Sequence, residues 1–132
     1  MIIFLLGLIP IINIQNNEIL NQNMPTIILL TLSNIFMTFA WYGHLKYKQA
    51  PILQVIFICW LIALPEYILQ VPANRIGSYQ FSPVQLKTIQ EIISLSVFCI
   101  FTSFYFGENL KWNHFVGFGF IILAVYFIFK KF

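Results

Sequence analysis

Four apolar stretches, each long enough to cross a bilayer, fill residues 25–130, and only short polar breaks separate them. A helical span needs about 20 predominantly apolar residues. In lipid the backbone must satisfy its own polar groups, which restricts such stretches to helices or a closed barrel. No strand-like alternation runs through them, so helices are expected. The sequence therefore reads as an all-α membrane protein, a four-transmembrane-helix bundle with spans at about 25–43, 51–73, 83–107 and 111–129. Every loop is short, which makes sequential neighbours antiparallel. Composition agrees: 60% of the residues are hydrophobic and 8% are charged, where a soluble domain carries roughly a quarter charged residues. Residues 24–132 suffice for one bundle and no second domain. The net charge of +3 is spread without a Lys/Arg cluster, which argues against nucleic-acid binding.

Residues 1–23 read as an N-terminal extension, interfacial or poorly ordered. The apolar run MIIFLLGLIPII would span only about 18 Å as helix, at ~1.5 Å per residue. It has neither the basic start nor the small-residue cleavage site of a signal peptide. Asn13–Asn23 is polar, and Met24 is an alternative translation start. Pro25, Pro51 and Pro83 open three of the spans, at positions where a helix tolerates proline. Trp41 and Tyr42 close the first span as an interfacial aromatic pair would. Cys59 and Cys99 fall inside apolar runs and read as packing residues. Arg75, Lys87, Lys130 and Lys131 lie toward one face of the membrane, and Lys46, Lys48 and Lys111 toward the other. That balance specifies orientation only weakly.

Two carboxylates interrupt the apolar pattern. Glu66 follows the uncharged run Gln49–Pro65, and Glu91 precedes the uncharged run Ile92–Gly107. A charge at the bilayer centre costs roughly 2.5–3.5 kcal/mol on insertion scales and is rarely kept without a use. Glu66 lies eight residues before Asn74, where the second span ends, and Glu91 eight residues after Pro83, where the third begins, about 12 Å along a helix in each case. Both are thus expected at a similar depth in one shared, hydrated pocket. Two nearby carboxylates in a low-dielectric medium cannot both stay ionised easily, a setting suited to proton uptake and release.

Helical periodicity gathers companions for each acid. Cys59, Ala63, Glu66, Gln70 and Ala73 share one row, small and polar rather than lipid-facing. Lys87, Glu91, Ser94, Phe98 and Tyr105 form a second. In the first span Asn34 and Thr38 are neighbours, with Thr31 and Trp41 nearby. Asn34, Thr38, Trp41, Ala63, Tyr67, Gln70, Arg75, Lys87, Ser94 and Tyr105 are the expected cavity lining. Trp41, Trp60, Tyr67 and Tyr105 offer faces for cation–π contact. Pro65 and Pro72 free the carbonyls of Leu61 and Ile68, which is tolerated where a wet cavity or a neighbour re-satisfies them. A structural kink is the bland alternative, as is a Lys87–Glu91 ion pair for Glu91. Gly117 and Ala124 mark the fourth helix for packing or dimerisation. His44 and His114 sit at helix ends. No spacing makes a metal site, no hydroxyl nucleophile has an adjacent base, and no phosphate-binding glycine loop occurs. Neither an enzyme nor a cofactor is expected.

The strings SNIFMTFAWYGHLK (33–46), EYILQVPANRIG (66–77), QLKTIQE (85–91) and LKWNH (110–114) together resemble a small bacterial family, the domain of unknown function numbered 486. That family is placed in the drug/metabolite transporter superfamily. The resemblance covers residue 24 to the end and implies a transporter-like half unit in the bacterial inner membrane, working as a homodimer. It is similar in architecture to the small multidrug resistance proteins, which export cations against protons and are often antiparallel dimers. Those relatives carry their essential acid in the first helix, where Pro25–Gly43 has none and offers Asn34 instead. Proton coupling would have to run through Glu66 and Glu91. The expectation is a transporter of a small organic cation or metabolite. The alternative is a non-transporting membrane assembly partner or lipid-carrier accessory subunit.

Overall fold

A computed structural model describes residues 17–130; the expectation for residues 1–16 lies outside them. The chain forms α1 (Asn17–Tyr42), a 3-10 turn (Gly43–Lys46), α2 (Ile52–Gly77), α3 (Pro83–Phe101), a π-helical segment (Thr102–Phe106) and α4 (Trp112–Phe129). Four candidate spans run over Met24–Lys46, Ile52–Gly77, Pro83–Phe106 and Trp112–Phe129. Among the described residues this is an all-α, four-helix, multi-pass membrane protein.

Local chemistry explains most boundaries. At the start of α3, the Ser82 N–H donates to Gln85 Oε1 at 3.0 Å and the Gln85 N–H donates to Ser82 Oγ at 3.3 Å. With Pro83 next in line, this capping box uses donors that the first turn would otherwise leave unpaired. At the start of α4 the Lys111 N–H donates to His114 Nδ1 at 2.9 Å. After the π segment the chain leaves the helix at Gly107, whose φ of 70° is one that glycine adopts without a Cβ penalty.

Two boundaries differ from the sequence reading. Helix α1 begins at Asn17, so Pro25 lies inside it rather than opening it. Helix α2 continues one turn past Ala73, to Gly77. The Ser78 N–H donates to the Asn74 carbonyl at 2.9 Å, and the Phe81 N–H to the Gly77 carbonyl at 2.9 Å, which carries the helical turn into the loop. Gly77 is buried, and a Cβ there would stand 2.5 Å from Leu86 Cδ2 and 2.9 Å from Thr26 Cγ2. Glycine is what allows α1, α2 and α3 to converge at this end.

Helix α1 is the hub. It packs along α2 and against α3, whereas α2 and α3 barely meet, and α4 touches mainly α3. The core is small: Leu30 of α1, Ala73 of α2 and Ile93 of α3 are fully or almost fully buried, with Ile27, Leu29, Ile89 and Val97 packed around them. Lipid tails are as apolar as leucine, so a membrane helix gains little from burying apolar area against its neighbour. Much of α2 and α4 accordingly presents its large apolar side chains outward.

Candidate functional site

The buried side of α1 is polar. Thr26, Ser33, Asn34 and Thr38 are all at most 2% exposed, at spacings that hold them on one broad face. Most hydroxyls in these spans bond to their own helix. Thr31 Oγ1 donates to the Ile27 carbonyl at 2.8 Å, Thr38 Oγ1 to the Asn34 carbonyl at 2.7 Å, and Ser96 Oγ to the Ile92 carbonyl at 2.6 Å. That habit satisfies the hydroxyl but ties nothing together. Ser33 behaves differently. Its Oγ lies 2.7 Å from Gln70 Oε1 and 3.2 Å from the Glu66 carbonyl oxygen, reaching across to α2 at the level of the acid.

Asn34 follows Ser33 directly. Its Nδ2 donates to the Leu30 carbonyl at 2.7 Å, while its Oδ1 is buried without a hydrogen-bond partner. The Thr26 hydroxyl near the Gly77 junction is likewise buried and unpaired. A buried acceptor left unpaired costs about 1–3 kcal/mol, so Asn34 keeps free accepting capacity inside the bundle at a real cost. Ser33, Gln70 and the Glu66 backbone thus form one polar node in the α1–α2 seam, with Glu66 and Gln70 half-buried and Asn34 next to Ser33 on α1. The Cys59, Ala63, Glu66, Gln70, Ala73 row does turn inward. What it meets is helix α1, closely enough that Ala73 is fully buried.

Glu91 lies elsewhere. It is paired with Lys87, Nζ to Oε1 at 2.6 Å, and its side chain is 61% exposed. The face of α3 that packs on α1 carries Leu86, Ile89 and Ile93, so the Lys87–Glu91 row is directed away. The extra turn of α2 also places Glu66 about 16 Å from the end of its helix, against about 12 Å for Glu91. Within one chain the two acids therefore do not share a pocket. At the level of the acids, apolar packing against Leu30 selects Leu86, Ile89 and Ile93 over Lys87 and Glu91; the upper members of the predicted row, Phe98 and Tyr105, do meet Tyr42 and Phe39 of α1.

The remaining expected lining residues are scattered. Ala63 and Ser94 are half-buried, while Arg75 and Lys87 are exposed. Trp41 and Tyr67 are 66% and 68% exposed, on the outside of the bundle. Tyr105 is half-buried, and its ring already faces a cation: Lys46 Nζ stands 4.7 Å from the ring centroid. Its hydroxyl donates to the Gly43 carbonyl at 3.0 Å. Gly117 and Ala124 are exposed, and a Cβ at Gly117 would meet nothing within 4 Å. Ser33 and Thr26 are the polar residues of the seam that the sequence reading does not single out. The signal for them is the spacing Thr26, Ser33, Thr38, polar residues recurring every one to two turns on a stretch, 24–42, with no charge.

A transmembrane helix hub with a polar node at mid-span defines, among the described residues, a small multi-pass membrane protein. A family model described as "Putative member of DMT superfamily (DUF486)" matches residues 26–129. The chain belongs to that family, which agrees with the resemblance carried by its motifs. Among curated proteins and among solved structures, nothing matches it.

Proposed function

We propose that this protein moves a small organic cation across the membrane, with Glu66 as the anionic group that binds it or exchanges it for a proton. The observation that carries this reading is the node itself. Glu66, the acidic residue of α2, accepts through its backbone carbonyl from Ser33, which also bonds Gln70 and precedes Asn34 with its unpaired Oδ1. Carboxylate and amide oxygens suit a substrate that donates N–H bonds and carries positive charge. The small multidrug resistance proteins carry their acid in the first helix, where this chain offers Asn34 at the matching level, so in this proposal the negative charge lies on α2 instead.

The working unit of this proposal is a homodimer. Helices α2 and α4 expose most of their length within one chain, and Gly117 leaves room for a close helix approach. An antiparallel pairing fits the balanced distribution of lysine and arginine between the two faces. Glu91 would join the site only across such an interface, after exchanging Lys87 for another partner. A second reading is favoured by one feature: Ser33, Gln70 and the Glu66 backbone bond one another, as they would if the node were only glue for a non-transporting assembly module.

Solid-supported membrane currents on purified protein in liposomes, with a panel of organic cations, separate these. Transport predicts currents that Glu66→Gln abolishes while the oligomer stays intact on size-exclusion chromatography. Absence of current with every cation, together with loss of assembly in Glu66→Gln, selects the module.

A further inference from the structure

On its other side α1 leaves a groove against α3. Ile35, Thr38 and Phe39 form one wall, and Val97, Ile100, Phe101, Phe104 and Tyr105 the other, around a volume of about 310 Å³. The polar atoms of its lining are already used. Thr38 Oγ1 donates to the Asn34 carbonyl and Tyr105 Oη to the Gly43 carbonyl, so the groove asks for a hydrocarbon and not for a polar solute. It runs from Tyr105 near the membrane surface to Val97 two turns deeper, about 12 Å along the helix. The π segment shapes its mouth. Phe101 and Tyr105 stack with centroids 4.7 Å apart, while Phe104 swings outward and is 88% exposed.

A cation sits over that mouth. Lys46 Nζ donates to the Tyr105 carbonyl at 3.2 Å and lies above the Tyr105 ring, which uses one of its three donors and leaves the ammonium exposed. Lys48 and Lys111 belong to the same membrane face, where Glu108 is the acidic residue. We propose that the groove holds one acyl chain of an anionic glycerophospholipid, whose phosphate is bound by Lys46. Charge complementarity selects lipid over a second copy of this chain. The opposite face carries Arg75 and Lys130 beside the neutralised Lys87–Glu91 pair, so a copy docked against the groove in either orientation brings a net positive face toward Lys46. Lipid in this groove is independent of what the protein transports.

The test is lipid retention by the full-length protein. Protein in nanodiscs of phosphatidylcholine with one tenth phosphatidylglycerol is transferred to mild detergent, and bound lipid is read by native mass spectrometry. Enrichment of phosphatidylglycerol over phosphatidylcholine is expected, and millimolar inorganic phosphate should not displace it. Lys46→Gln should lower the enrichment about fivefold, the factor for one lysine near an anionic surface. Val97→Trp, which fills the groove, should remove the retained lipid. Phe104→Ala, a change at an exposed ring that leaves the fold alone, should weaken retention of every lipid class alike. Equal retention of the two lipids by the unmodified protein overturns the proposal. So does unchanged retention in both Val97→Trp and Phe104→Ala, or efficient disulfide cross-linking between copies through Ile35→Cys.

Discussion

Helix α1 meets its two main neighbours in opposite ways. Toward α2 it offers Ser33, which crosses the gap to Gln70 and the Glu66 backbone, and the seam closes until Ala73 is fully buried. Toward α3, beyond the contact at Ile93, it offers Ile35 and Phe39, and a groove remains. In water the ranking would be reversed, because apolar walls would collapse and a hydroxyl would be indifferent. In a bilayer, an apolar wall can be covered by lipid at no loss, whereas a polar group finds its partner only in protein. One helix thus shows both behaviours, and the contrast can be attacked from either side.

The largest effect is expected where the two interfaces share a base. Gly77 lies between Thr26 of α1 and Leu86 of α3. The end of Leu86 can rotate aside, but Thr26 is β-branched and stiff. Gly77→Leu should cost about 1–3 kcal/mol, the usual range for overpacking a tight contact, read as an earlier midpoint in SDS-titrated unfolding followed by tryptophan fluorescence. An unchanged midpoint would mean that the junction does not hold the three helices together.

Next comes the segment that forms the groove's mouth. Gly107 has φ of 70°, and nothing lies within 4 Å of a Cβ placed there. Gly107→Val therefore meets only backbone strain, about 1–2 kcal/mol. Because the strain falls just after the π segment, the chemical environment of Tyr105 should change in NMR spectra while that of Ser33 stays as it was. Equal disturbance at both residues would show the groove and the seam to be mechanically one.

A pair of alanines tests the two interfaces of α1 most directly. Ser33→Ala should cost about 0.6 kcal/mol and at most about 1.7, the measured span for interhelical hydrogen bonds in membranes. Ile35→Ala removes more atoms, and in a soluble core it would cost about 2–5 kcal/mol. In the bilayer, lipid fills the space, and the expected cost is close to zero by the same SDS titration. If Ile35→Ala proves the more damaging, the groove wall is packed against protein, and α1 does not treat its two neighbours differently after all.

The four spans and their order were legible from the sequence because the bilayer imposes a length and a polarity on each helix regardless of its neighbours. The inward turn of the Glu66 row was legible for a related reason, since small and polar side chains face protein where lipid is the alternative. Which helices pair was not. Glu66 and Glu91 are expected in one pocket between α2 and α3, yet α1 lies against both helices and they scarcely touch. Nothing in the spacing of Lys87 and Glu91 reveals that Leu86, Ile89 and Ile93 would win the contact with Leu30. Likewise, Ser33 differs from Thr31, Thr38 and Ser96 only in what faces it, and that is a property of the assembled pair.

The smallest effect concerns the acid that the fold leaves outside. Lys87 and Glu91 are one helical turn apart, 2.6 Å between charged atoms, with side chains 65% and 61% exposed. Lysine preceding glutamate is the weaker order for such a pair, and exposed pairs of this kind contribute about 0.2–1 kcal/mol, lowered further by salt. Lys87→Gln should therefore move the unfolding midpoint by no more than a few tenths of a kcal/mol. In liposomes it should also leave any cation current unchanged, because Glu91 is not part of the seam within one chain. A current that changes markedly in Lys87→Gln would place Glu91 beside the substrate. The two acids would then have to meet across a dimer interface, and the α1–α2 seam would be only half of the site.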